Sequence, residues 1–336
     1  MPATVLLVHY NNVADTEACL ASLAAAGAPD VLVVDNASRT GRIEEGVGRY
    51  PGRATLMRLE ENVGFGRANN VGIREVLRRG GERVFVLNND TLVEPDAMRH
   101  LERALDRHPE AALATPRILY ADAPDTLWYG GGFVDWSRGT ARTPGYNGPA
   151  DAPLAMEPRP VTFASGCAML LRAEALREVG GFDPRYFMYE EDVELGLRLL
   201  HAGWSMRYVP EAVVYHRVGG SQRGREEEPD ASSPERIAFL AYHQTRNQLL
   251  TAARFARGAD VFRFCWGFGL RRLALAAAAL LEGRAGPGVA VARGVADAFA
   301  VVLRGGRQAT SPAPPSLRAT VETEASSSGF PNPTAR

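Results

Sequence analysis

The chain has 336 residues, 46% of them hydrophobic and 23% charged, enough to bury one large domain with an appendage or two domains. A formal net charge of -1 excludes a global field steering it toward nucleic acid, and no nucleic-acid partner is expected. All 38 basic residues are Arg, which excludes chemistries built on a lysine, such as the P-loop phosphate contact or a Schiff base.

The first ten residues carry no basic run, and the apolar stretch is too short for a signal peptide. Residues 4–9 and 31–35 are uninterrupted β-branched and aliphatic runs, as in parallel strands buried on both faces. Between them, Ala18, Leu20, Leu23 and Ala24 recur at helical spacing, with Asp15 or Thr16 as the expected N-cap. A strand near 54–58, a helix near 66–79 and a strand over 84–87 continue the alternation. Pro95 is expected to open the next helix at its first position, running to about His108. Residues 128–160 are rich in Gly and Pro and predict a long loop or irregular β segment. A strand (168–171), a short helix (173–179) and a helix from about 191 to 202 follow. Residues 221–235 are expected to form a mobile loop, 236–306 an amphipathic helical region, and 307–336 a disordered tail. Three cysteines, odd in number and far apart in sequence, fit a reducing cytoplasm.

Strand–helix alternation of this kind predicts a doubly wound α/β sheet, whose ligand sits beyond the carboxyl ends of the strands. Those ends are polar here. Asp35 either accepts from a ribose or base edge or caps the following turn. The glycines of Asn62-Val-Gly64-Phe65-Gly-Arg-Ala-Asn69-Asn70 stand at the mouth of a helix, where backbone approaches an anion closely. Asn88-Asn89-Asp90 ends an apolar strand. Its carboxylate is either a turn former or an oxygen ligand for Mg²⁺ or Mn²⁺ on a diphosphate. Glu190, Glu191, Asp192 and Glu194 crowd one helix start, more acids than a cap needs, so one of them is a candidate general base.

The order of these motifs resembles the inverting GT-A glycosyltransferases of family 2, in particular the rhamnosyltransferase-like members of bacterial surface polysaccharide synthesis. The likeness covers residues 3–220 and the GT-A catalytic domain is placed at 1–220. It is carried by Val-Val-Asp35-Asn36-Ala-Ser, Asn62 to Gly72, Leu-Asn-Asn-Asp90, Ser165-Gly166-Cys, Gly181-Phe182-Asp183, Tyr-Glu-Glu191-Asp192-Val-Glu, and His216. The resemblance implies that Asn11, Asp35, Asn36, Asn62, Gly64, Phe65, Asn69, Asn70, Asn89, Asp90, Ser165 and Gly166 bind a nucleotide-diphosphate sugar. It implies Asp90 and His216 as ligands of a Mg or Mn cation, Asp192 as catalytic base, and Glu191 as its neighbour orienting the acceptor. Donor and acceptor follow the same way: dTDP-rhamnose ahead of a UDP-sugar, and a glycan or lipid-linked glycan. Asn88 stands where the family often has a first acid, which weakens the expected metal site. Two rivals remain in view, a sugar nucleotidyltransferase and a catalytically silent sugar-nucleotide binder or scaffold.

Residues 254–307 hold nine Arg against three acids, interleaved with Phe255, Phe262, Phe264, Trp266 and Phe268. This composition predicts either a helix lying on the inner face of the cell membrane or one packed on the catalytic domain or a second subunit of a homo-oligomer. On the membrane reading Arg271 and Arg272 face lipid, apart from the chemistry.

Overall fold

The computed structural model describes residues 3–28, 30–136, 140–218, 233–281, 285–305 and 319–325. Four buried strands, β1 (Thr4–His9), β2 (Asp30–Asp35), β3 (Arg53–Leu59) and β4 (Arg83–Asn88), pair in parallel in the order β4-β1-β2-β3. Val5, Leu6 and Leu7 of β1 and Val31 and Val33 of β2 are fully buried, as a sheet covered on both faces requires. The helices between these strands are α1 (Val13–Ala25), α2 (Glu44–Gly48) and α3 (Phe65–Arg78). On α3, Gly72 lies so close to β1 that a Cβ there would come within 2.1 Å of Leu6 Cδ1.

Two helix starts differ from expectation. The N-cap of α1 is Asn12, whose side chain accepts from the Asp15 N–H at 3.2 Å, so the helix opens a turn earlier than either expected cap. After the short strand β5 (Thr91–Val93), α4 (Ala97–Arg107) begins two residues beyond Pro95, which stands ahead of its N-cap Asp96.

The second half of the sheet was largely invisible to periodicity. Strand β6 (Ala111–Tyr120) is followed by β7 (Ala123–Tyr129), the pair β8 (Phe133–Asp135) and β9 (Thr140–Arg142), the single turn α5 (Pro153–Met156) and β10 (Arg159–Pro160). Strand β11 (Ala168–Arg172) slots antiparallel between β4 and β6. After α6 (Ala173–Val179) and α7 (Glu191–His201), β12 (Ser205–His216) runs parallel to β6. Its register shifts between Val209 and Val213, around Pro210, whose missing N–H cannot serve the ladder. The main sheet runs in the order β10-β12-β6-β11-β4-β1-β2-β3, with β5 paired to β12 and β7 to β6, while β8 and β9 form a separate two-stranded sheet.

Three helices follow: α8 (Pro234–Phe255), α9 (Ala259–Leu281) and α10 (Ala285–Gly305). None is long and apolar enough to cross a membrane. Helix α8 is tied to the sheet domain by Arg254, which reaches Glu194 at 2.5 Å and Asp183 at 3.2 Å. Buried Tyr186 completes the joint with a hydroxyl contact to Thr251 at 3.0 Å. The expected mobile loop, apart from its last residues, lies outside the described residues. So does most of the tail, but β13 (Ala319–Ala325) forms an edge strand antiparallel on β3. A free strand edge offers a row of unpaired backbone groups, which is the physical reason a tail of low hydrophobicity takes β structure there.

Candidate active site

At the carboxyl ends of the strands His9 of β1 lies in register with Asp35 of β2, and Asn88 of β4 lies opposite Val8, one residue back. Around them the expected nucleotide residues divide into two groups. Asn36 and Asn62 interlock: the Asn36 amide donates to Asn62 Oδ1 at 3.0 Å, and their oxygens accept the Val63 and Gly64 N–H groups at 3.0 Å. Asp35 is buried and accepts the Ser38 N–H at 2.9 Å, while its other oxygen faces Arg58 at 3.9 Å. It caps the turn, the plainer of its two readings. Asn11, in a left-handed conformation at φ 62°, accepts the Arg39 N–H at 2.7 Å and so staples the β1 loop to the β2 loop. These residues shape the rim at the strand ends.

The second group supports from behind. Asn70 holds the Phe182 backbone at both ends, donating to its carbonyl at 2.6 Å and accepting its N–H at 2.7 Å. Asn69 is fully buried and donates to the Phe65 carbonyl at 3.1 Å. Both asparagines hold backbone at the mouth of α3, and Asn69 Oδ1 is buried without a partner. Phe65 packs edge-on against Phe182, with centroids 5.9 Å apart, and lies under Gly166. Gly64 sits at φ 85° with its Cα against Phe187, and a Cβ there would come within 2.3 Å of the Phe187 carbonyl oxygen. Only glycine fits both demands.

Asp90 and His216 meet. His216 Nε2 lies 3.2 Å from Asp90 Oδ1, both side chains are buried, and Trp128 stands edge-on over the imidazole at 4.5 Å. They come from distant strand ends, brought together because β12 pairs with β5 and sets His216 opposite Thr91. Burial opposes charge on His216, but Cys167 and Asp90 raise its pKa well above the ordinary histidine range. Beyond that approach to Nε2, Asp90 Oδ1 has no partner, and His216 Nδ1 makes no hydrogen bond. A buried carboxylate and imidazole so little engaged otherwise fit a divalent cation that takes its other ligands from a diphosphate and water. Among the described residues no group of three or more acidic, His or Cys side chains forms a closed metal cage. Asn89 is turned the other way, donating to Thr16 Oγ1 at 2.8 Å.

The acids of α7 separate by role. Glu194 is fully buried and paired with Arg198 at 2.8 Å as well as with Arg254, so it is structural. Asp192 accepts the Gly166 N–H at 2.9 Å on one oxygen and the Val193 N–H at 2.8 Å on the other. Burial raises its pKa and those backbone donors oppose the rise. Glu191 is more deeply placed, with Oε2 unpartnered, and burial together with Asp192 holds its carboxyl well above the usual carboxylate range. Tyr189 and Glu190, just ahead of α7, are both left-handed, at φ 69° and 70°. Asn247 of α8 holds this strained entry, donating to the Met188 and Tyr189 carbonyls at 2.9 and 2.8 Å.

Asp192 and Glu191 open into a cavity of about 480 Å³, shared with Gln244 and Gln248 of α8 and Arg271 and Arg272 of α9. The last four were missed as site residues. The glutamines carry no sequence signal, being one turn apart on an ordinary amphipathic helix. The adjacent arginines carry a charge signal that left open a helix on a membrane and a helix packed on the sheet domain; both line this cavity.

Ser165-Gly166-Cys167, leading into β11, joins the two centres. Gly166 holds Asp192, the Cys167 carbonyl accepts the Asn88 N–H at 2.8 Å, and buried Ser165 Oγ accepts the Cys167 N–H at 3.2 Å. A mostly parallel α/β sheet with an Asp–His pair at its carboxyl edge and a buried acid pair beyond it defines a GT-A-type protein. The comparisons agree. The description "glycosyltransferase like family 2" matches residues 2–246, and the chain belongs to this family. It is 35% identical over 235 residues, 65% of this chain and 76% of the relative, to the N-acetylglucosaminyl-diphospho-decaprenol L-rhamnosyltransferase of Mycobacterium tuberculosis. A 56-residue stretch, 17% of this chain and 21% of the relative, is 45% identical to the rhamnosyltransferase WbbL of Escherichia coli. The fold is similar to a mannosyltransferase of Pyrobaculum calidifontis solved with GDP-Man and Mn²⁺, at TM-score 0.53 and 17% identity over 91% of this chain and 79% of that one. It is also similar to GalNAc-T7 solved with UDP, GalNAc and Mn²⁺, at TM-score 0.54 and 17% identity, over 79% of this chain and 54% of that one. The protein is thus a glycosyltransferase of rhamnosyltransferase-like type.

Proposed function

We propose that the protein transfers rhamnose from dTDP-rhamnose to a lipid-linked glycan acceptor with inversion at the anomeric carbon. The observation that carries this reading is the single wall, Ser165 to Cys167, that sets Asp192 beside the Asp90–His216 pair. Asn36, Asn62 and Asp35 bound the nucleoside end of the rim, and Asp90 with His216 would hold a Mg or Mn ion on the diphosphate. Such an ion, when bound, offsets negative charge on the departing nucleotide. Asp192 takes the proton of the acceptor hydroxyl as that oxygen attacks from the face opposite the diphosphate. Its two backbone donors favour the ionised form that a base requires. Glu191, held protonated, donates a hydrogen bond to orient the acceptor.

The acceptor's lipid anchor suits the helical region. Phe262, Trp266 and Leu270 are 71%, 65% and 52% exposed and lie four residues apart along one face of α9. This apolar stripe supports a peripheral position at the cytoplasmic membrane face.

The test is transfer from dTDP-rhamnose, with Mn²⁺, to N-acetylglucosaminyl diphosphate on a short prenyl chain. The expected product is a rhamnoside of inverted configuration by NMR, and EDTA abolishes its formation. Full activity in EDTA would mean that side chains alone stabilise the leaving diphosphate. Release of pyrophosphate in place of dTDP would make the protein a nucleotidyltransferase.

A further inference from the structure

We propose that Arg271 and Arg272 form the subsite for a diphosphate on the acceptor, distinct from the place of the donor's diphosphate. The proposal rests on the glycosyltransferase reading for its substrate class, and on three observations for its location.

The first is position. The cavity of about 480 Å³ that holds both arginines is bounded by Glu191 and Asp192, and neither Asp90 nor His216 belongs to its lining. Asp192 stands between the two regions, since its other contact is Gly166 on the wall leading to Cys167 and His216. A base must touch the acceptor hydroxyl, so the cavity beyond it is the acceptor's.

The second is chemistry. Two adjacent guanidiniums in one cavity repel each other, and an anion bridging them relieves that repulsion. Planar forks of five donors match phosphate oxygens better than any neutral sugar hydroxyl. The acids in the same cavity belong to the catalytic helix start, and Glu190 favours the charge on Arg272 while Arg271 opposes it.

The third is preorganisation. Arg272 Nη2 donates to Gln248 at 2.8 Å, and its guanidinium lies over the Phe268 ring at 5.2 Å. Its Nε is buried with no hydrogen-bond partner. The exposed stripe Phe262, Trp266 and Leu270 runs N-terminally from Arg271 along the same helix, an apolar track for a chain attached to the bound diphosphate.

Farnesyl diphosphate is the probe, because it contains the diphosphate and a chain but no sugar. Calorimetry with the full chain, in saturating dTDP and Mn²⁺, is expected to show binding. Arg271→Gln and Arg272→Gln should each weaken it about ten- to hundredfold, the range for charge-assisted hydrogen bonds. Arg271 is exposed, so its variant keeps the fold even if that of Arg272 does not. Farnesol binding should be the same in all three proteins. Probe binding that appears only when dTDP is left out would assign the arginines to the donor, and undiminished binding in both variants would remove them from the subsite; either overturns the proposal. Binding is read without turnover, so loss of transfer in wild type would sink the proposed function and leave this result standing.

Discussion

Asp192 and Glu191 are chemically similar neighbours that the fold treats differently. Asp192 is fixed by two backbone N–H groups, whereas Glu191 is buried with an unpartnered oxygen. Asp192→Asn removes proton-accepting capacity and should lower turnover by roughly 10²–10⁴-fold. Because an amide has one carbonyl oxygen for two backbone donors, a stability loss of about 1 kcal/mol should accompany it. Donor binding, read by thermal shift with dTDP and Mn²⁺, should persist. Wild-type turnover in this variant would move the base to Glu191. The sign for Glu191 follows from its raised pKa. Below about pH 4 its carboxyl is protonated in folded and unfolded chains alike, and stability is fully present. As pH rises the unfolded chain ionises first, so stability is lost up to the raised folded value. Glu191→Gln should therefore match wild type in Tm at acidic pH and exceed it increasingly toward neutrality. A pH-independent gap would mean that Glu191 is not held protonated.

At the scale of elements, α8 acts as the brace of α7. Its Asn247 and Arg254 reach the entry of α7 and the Glu194–Arg198 pair, so the strained left-handed residues Tyr189 and Glu190 depend on a helix more than forty residues downstream. Asn247→Ala leaves the Met188 and Tyr189 carbonyls without their donor. A destabilisation of about 1–3 kcal/mol is expected, the cost of unsatisfied buried polar groups. Turnover should fall more than the affinity for dTDP, since the acids move while the Asn36–Asn62 rim does not. Denaturant unfolding and steady-state kinetics check both parts. An equal loss in nucleotide affinity would mean that α8 supports the whole site. Gly64 acts at the same scale, as the point where α3 meets the Phe187 backbone. Gly64→Ala should disrupt the α3 mouth and weaken dTDP binding, which thermal shift measures.

For the molecule as a whole, three arginines of the helical region turn toward the sheet domain: Arg254 pairs with Glu194 and Asp183, and Arg271 and Arg272 line the cavity. Phe262, Trp266 and Leu270 of α9 are exposed, as is Arg263 between them. Membrane partitioning is expected to depend on this apolar stripe, whose burial removes apolar surface from water. Trp266→Asp should reduce binding to vesicles containing anionic lipid by at least about tenfold, because a large buried side chain contributes ~1.5–3 kcal/mol. Co-sedimentation reads this directly. Unchanged partitioning with a shift from dimer to monomer in light scattering would make the stripe a subunit interface.

The early strands, the Gly64 turn, the Asp90 strand end and the crowded acids of α7 were legible because local pattern determines them: uninterrupted apolar runs, a forced φ, a polar terminus. The same local logic failed for β6 and β12, whose pairing is long-range and whose bulge at Pro210 breaks the pattern. It also could not say what each asparagine holds, since Asn36 and Asn70 look alike until one is seen locked to Asn62 and the other to Phe182. Asp90 and His216 are far apart in sequence and meet only through the β5–β12 pairing. Arg271 and Arg272 show the limit most clearly. Sequence determined their charge and their place on an amphipathic helix, but which face of that helix meets the catalytic acids is decided by how α8 and α9 pack, a non-local balance of burial and ion pairing.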